Sequence, residues 1–227
     1  MRRPAAFSPV WWQEWGLTTM LVSLLLALFV GAPLMAMAGV GQLAFDAFFT
    51  VMLLSGVVAF ARRRILAIAI AVLGLVVQVM RWSGYGAAIP ALVLWDDAMT
   101  LLLLATLTGL VLEHVFREGP ITGDRIRGAI AAYLLIGLVW VFAYRLVDYL
   151  SPGALSIGPI DRTPGRGPQT VAYFSFVTLT TLGYGDITPV HPAARVLAVA
   201  EALVGQLYPA ILLGRLVSLQ ISSRTEK

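Results

Sequence analysis

Residues Thr178 to Asp186 read T-L-T-T-L-G-Y-G-D. Gly183 and Gly185 lack a Cβ and adopt backbone geometries that other L-residues resist. With that freedom, consecutive carbonyls from Thr181 to Tyr184 can all point the same way and form a ladder of oxygens. Repeated around an axis by several copies of the chain, such a ladder replaces the water shell of a dehydrated monovalent cation, and the Thr181 hydroxyl adds an oxygen at its inner end. This chemistry needs no catalyst and no cofactor, only a permeant ion.

The stretch lies in a chain of 227 residues that is 59% hydrophobic and 12% charged, with a mean hydropathy of +0.86. About a quarter of the residues of a soluble domain are charged, so the composition is that of a polytopic membrane protein. The net charge of +4 and the 16 basic residues do not imply a nucleic-acid partner, because the basic residues are scattered between apolar runs. There are no cysteines, which removes disulfides and thiolate metal sites.

The segment before the glycines, about Gln169 to Thr180, is apolar and aromatic but too short to cross a bilayer, as a re-entrant helix should be. It is flanked by two membrane-length runs, about Gly128 to Leu150 and about Ala193 to Leu219. Ser151 to Pro168, rich in Pro and Gly, reads as an exposed turret. Four further spans precede these: Leu17 to Ala38, Gln42 to Ala61, Ile65 to about Trp82, and about Ile89 to Leu112. Trp11, Trp12 and Trp15 suit the membrane interface. Arg2, Arg3, the first apolar run and Ala36-Met37-Ala38 also fit a signal peptide, although the run is long for a signal core. A turn around Gly84 and Gly86 and the Gly119-Pro120 break separate the spans. The fold class is therefore an all-α membrane protein of six transmembrane helices, with a re-entrant pore helix and filter between the fifth and sixth. Residues 1–122 form a four-helix bundle and residues 123–227 a pore domain.

Charge sets the orientation. With both termini cytoplasmic, Arg2, Arg3, Arg62, Arg63, Arg64, Arg117, Arg125, Arg127, Arg224 and Lys227 fall on the inner side. Arg81, Arg145, Arg162, Arg166 and Arg195 fall toward the outside, and the glycine-rich stretch then lies at the outer face of a cell membrane.

The nine residues from Thr178, with the Ile187, Thr188 and Pro189 that follow, resemble the potassium-channel signature T-x-x-T-x-G-Y-G-D, Leu182 standing where Val is commoner. The resemblance implies a homotetramer in membrane lipid whose filter is lined by Thr181, Leu182, Gly183 and Tyr184, with potassium bound at those four residues. It also implies supporting roles for Thr178, Thr180, Gly185 and Asp186. Tyr173 stands where many relatives have a Trp that bonds to the Asp, and Val177 where some have a Glu. In the last span Gly205 matches a position often proposed as a gating hinge, and Pro209 follows four residues later, although Gly205 also suits close helix packing. Glu201, an ionisable group within the same span, is expected behind the filter or against a neighbouring subunit.

The fourth span carries none of the basic residues at every third position that mark voltage-gated relatives. Instead Asp46, Arg81 and Asp96 all come out roughly 22 to 25 Å above the inner boundary at about 1.5 Å per residue. A polar cluster of Asp46, Arg81, Asp96 and Asp97 is expected there, with Arg145 and Asp148 near its level: static ion pairs, or a proton-sensitive group. His114 falls on the inner side and His191 near the outer mouth, each read as incidental. About eight residues follow the last span, so a cytoplasmic ligand-binding domain would have to come from a separate regulatory protein.

The reading is a potassium-selective channel that is not strongly voltage-gated. A weakly selective cation channel and a non-conducting accessory subunit are its rivals. An intramembrane enzyme fits least, because Asp96 and Asp97 are adjacent and do not share a helix face.

Overall fold

The computed structural model describes residues 11–31, 41–60, 64–82, 90–117, 122–157 and 168–225. Arg2, Arg3, Ala36 to Ala38, Arg62, Arg63, Gly84, Gly86, Glu118, Gly119, Pro120, Arg162, Arg166 and Lys227 lie outside the described residues, as do the side chains of Trp11, Trp12, Trp15, Asp46 and Arg224.

In chain order the helices are α1 (Trp11–Leu26, extended by a π-helical turn over Ala27–Gly31), α2 (Gly41–Ala59), α3 (Arg64–Trp82), α4 (Pro90–Phe116), α5 (Gly123–Leu150), α6 (Pro168–Leu179) and α7 (Pro192–Thr225). Three of them open on a proline, whose fixed φ suits a first turn and whose missing N–H would have found no helical partner there. α5 opens differently: extended Thr122 accepts the Arg125 N–H on its side chain at 3.4 Å, and Asp124 places an acid in the first turn, where the helix dipole favours it.

α3, α4, α5 and α7 are long and apolar enough to cross a membrane, and Gly16–Gly31 and Phe49–Ala59 are shorter apolar stretches. The chain is a multi-pass membrane protein. α5 is its centre, packing against α1, α4, α6 and α7. Its buried side carries Ala131, Ala132, Leu135, Leu138 and Tyr144. The apolar surfaces left open belong largely to α3, with Ile65, Ile68, Val72, Leu75 and Val79, and to α7, with Val196, Val199, Leu203, Leu207 and Ile211.

The described start of the connector after α5, residues 151–157, departs from the expected exposed turret, and residues 158–167 lie outside the described residues. Leu155–Ile157 forms a short strand, β1, antiparallel to β2 (Ile187–Pro189), with Leu155 opposite Pro189 and Ile157 opposite Ile187. Ala154 and Leu155 are buried, and the Ala154 carbonyl accepts the N–H groups of Val190 and His191 at 2.9 and 3.2 Å. The segment after the glycine-rich stretch is thereby fastened to the end of α5.

Candidate functional site

α6 ends at Leu179, and the backbone then turns sharply while staying bonded to the helix it has left. The N–H of Thr181 reaches the Thr178 carbonyl at 2.9 Å, and those of Leu182 and Gly183 reach the Val177 carbonyl at 2.9 and 3.4 Å. Thr181, Gly183 and Gly185 have φ of 59°, 56° and 79°. The two glycines occupy this region freely. Thr181 is β-branched and does not, so its conformation persists only where the surroundings dictate it. Every second residue from 181 to 185 thus has a positive φ. Thr181 to Asp186 are all exposed, Leu182 at 59% and Tyr184 at 66%.

Several groups support this turn. The Tyr173 hydroxyl donates to Asp186 Oδ2 at 2.8 Å, and Asp186 Oδ1 accepts the Ile187 N–H at 3.1 Å. The Thr180 hydroxyl turns back to the Phe176 carbonyl at 2.6 Å, within its own helix turn, and Thr178 contributes its carbonyl to Thr181. Deeper in, Glu201 is fully buried within the one chain. Its two carboxyl oxygens lie 2.7 Å from the Tyr144 hydroxyl and 2.6 Å from the Ser175 hydroxyl, which is also 2.9 Å from the Gly137 carbonyl. One carboxyl group thereby joins α7, α5 and α6.

Gly205 lies directly against the C-terminal end of α6: a Cβ at this position would collide with the carbonyl oxygen of Leu179. α7 continues as helix through Pro209. The same Leu179 carbonyl accepts the Tyr133 hydroxyl at 3.3 Å. Sequence reasoning missed Tyr133, Tyr144, Ser175 and Tyr208. A polar side chain inside a short apolar and aromatic segment was the available signal for Ser175. The tyrosines read as ordinary aromatic residues until their partners, 46 to 79 positions away, are seen.

Residues 164–220 match a family model described as "Ion channel". Over 91 residues, 38% of the chain, the sequence is 36% identical to Two pore potassium channel c of Oryza sativa subsp. japonica, and over 94 residues 33% identical to Two pore potassium channel b of the same plant. Part of the chain is thus similar to an ion-channel family and to part of those two plant proteins. It spans only 19% and 24% of the length of those two relatives. Protein LctB of Bacillus caldotenax is 29% identical over 117 residues, which cover 51% of this chain and 87% of that one. No solved structure gives a significant match.

Away from the glycine-rich turn, the expected charges come together in part. Arg81 Nε stands 3.5 Å from Asp96 Oδ2, and its Nη2 is 3.4 Å from the Thr100 hydroxyl. Arg145 Nε donates to Asp97 Oδ2 at 3.1 Å, with Nη2 2.9 Å from Oδ1. Both guanidinium groups flank Phe142, at 5.6 and 5.5 Å, and Arg81 also covers Phe49 at 4.5 Å. Asp148 is engaged elsewhere. Its Oδ1 accepts the N–H groups of Gly153 and Ala154, both at 3.1 Å, and so fixes the turn that leads into β1. At the other end of α4 and α5, His114 Nε2 meets Asp124 Oδ2 at 3.0 Å, and Arg127 stands 3.8 Å from the other oxygen. The α4–α5 pair is tied near both ends. His191 stays local, its Nδ1 accepting the Ala193 N–H at 3.3 Å.

Proposed function

We propose that the chain is a potassium-selective channel, a homotetramer whose pore is lined by the backbone carbonyls of Thr181, Leu182, Gly183 and Tyr184. The observation that carries this reading is the left-handed backbone at Thr181, Gly183 and Gly185 within T-L-T-T-L-G-Y-G-D. Alternating handedness lets successive carbonyls replace an ion's hydration oxygens, and the ion passes without any covalent step or cofactor.

Exposure supports assembly. Non-helical backbone at membrane depth requires protein or water around it, yet in one chain the whole turn and the apolar face of α7 stand open. Four copies around an axis enclose the turn and cover that face. The end of α6 adds a dipole whose negative pole favours a cation on the inner side. The basic residues on the inner side of α3 to α5 favour cytoplasmic termini in a cell membrane.

The ties between α4 and α5 favour weak voltage dependence. A helix that slides in the field must break its side-chain pairs with its neighbour, and α4 is held by Asp97–Arg145 at one end and His114–Asp124 at the other. It also lacks mobile cations in its middle.

Rubidium uptake into potassium-loaded proteoliposomes tests the reading. Uptake in the parent and its loss in Gly183→Ala are expected, since φ of 56° strains any residue with a Cβ. An intact tetramer without uptake would favour the accessory-subunit reading. Uptake that survives Gly183→Ala would mean ions take another path.

A further inference from the structure

We propose that Tyr133, on α5, is a selectivity-positioning residue: its hydroxyl holds the last carbonyl of α6 and so fixes the inner end of the filter. The inference rests on the channel reading above and adds a residue to it. Carbonyls in the last turn of a helix have no helical partner, and inside a membrane an acceptor left without a donor is costly. Leu179 is the final residue of α6, with a fully buried side chain, two positions before left-handed Thr181. Its carbonyl is confined from two sides, by the bare Cα of Gly205 and by the Tyr133 hydroxyl at 3.3 Å.

The Tyr133 ring is itself held. It stacks on Tyr208 with centroids 5.8 Å apart and an interplanar angle of 26°. Tyr208 in turn donates to the Ala129 carbonyl at 2.8 Å and meets Phe116, at the end of α4, edge-on at 6.5 Å. The phenol therefore has one direction in which to present its proton. Without it, the Leu179 carbonyl must turn toward another donor, and the peptide leading to Thr181 turns with it. Thr181 supplies the innermost oxygens of the proposed ladder, so the loss falls on ion discrimination.

The test is the reversal potential of the reconstituted full-length channel with potassium on one side and sodium on the other. Tyr133→Phe keeps the ring and its stack, and it should raise relative sodium permeability roughly fivefold, the weight of one neutral hydrogen bond. Tyr208→Leu removes the support and should do the same by a separate route. The double variant should shift no further than either alone, because both act on one contact. Heat-induced dissociation of the tetramer is followed in parallel. A role in packing alone would lower the dissociation temperature and leave every reversal potential at the parent's value, which overturns the proposal. A parent that does not discriminate the two ions would take down the channel reading and this inference together. A selective parent with an unshifted Tyr133→Phe would remove this inference alone.

Discussion

At the scale of the residue, the filter stretch divides into positions whose conformation is free and one that is forced. Gly183 and Gly185 were legible as the sites of unusual backbone because glycine alone takes such geometry without cost. Left-handed Thr181 was not, since nothing in a threonine announces it. It follows from the three N–H groups that turn back to the Thr178 and Val177 carbonyls. Gly185→Ala, at φ of 79°, should therefore abolish selective uptake while the tetramer still forms, a result read from rubidium flux beside native gel mobility. The Tyr173 and Asp186 pair was readable as a donor and an acceptor, but its geometry was not, because it depends on how far the chain folds back over the thirteen positions that separate them. Tyr173→Phe deletes one exposed bond of 2.8 Å to Asp186, and currents through the variant should decay about fivefold faster at steady voltage as the outer end of the filter relaxes. Unchanged decay would mean that the bond does not steady the filter.

At the scale of the element, hydrophobic run lengths made the helices legible, whereas the contacts between helices were not. Glu201 was expected behind the filter or against a neighbouring subunit, because an ionisable group at that depth in a span marks a functional site. Its actual company, Tyr144 and Ser175, lies on two other helices at separations that no local pattern encodes. Glu201→Ala leaves both hydroxyls buried without that acceptor, and a loss of about 2 to 5 kcal/mol in tetramer stability is expected from thermal dissociation. Gly205→Ala sets a methyl against the Leu179 carbonyl, so α7 must move off the end of α6, and lowered tetramer stability with altered selectivity is expected. A pure hinge would instead change open probability alone, which single-channel recording distinguishes. The charge cluster was anticipated from depth. Its connections follow from helix packing, which pairs Asp97 with Arg145 and sends Asp148 to the turn before β1. Removing one partner of a buried pair typically costs about 3 to 5 kcal/mol. Arg145→Gln should accordingly loosen α4 from α5 and lower the thermal midpoint, and the exchanged pair Asp97→Arg with Arg145→Asp should recover part of the loss. β1 and β2 were invisible, because three-residue strands beside glycine and proline carry too little periodicity to be read.

At the scale of the whole molecule, a single chain is an incomplete object. The backbone of Thr181 to Asp186 and one apolar face of α7 stand open, while α5, α6 and Glu201 are already packed, and the proposed tetramer would cover what stands open. The composition made the membrane legible, and the signature stretch carries the proposal of a pore. The two ties between α4 and α5 emerged only from the folded chain. Because each charge moved through the field contributes about 2.3 kcal/mol per 100 mV, a bundle that does not move gives a shallow conductance–voltage curve, equivalent to less than about one charge per channel. A steep curve would show that α4 slides despite its ties. The central claim is potassium selectivity, and the most direct measurement is the reversal potential of the purified protein in planar bilayers with unequal potassium and sodium. A reversal that follows the potassium gradient, in the parent and not in Gly183→Ala, is the predicted result. A reversal midway between the two ions would contradict the claim and leave a pore whose signature stretch is not held in selective geometry.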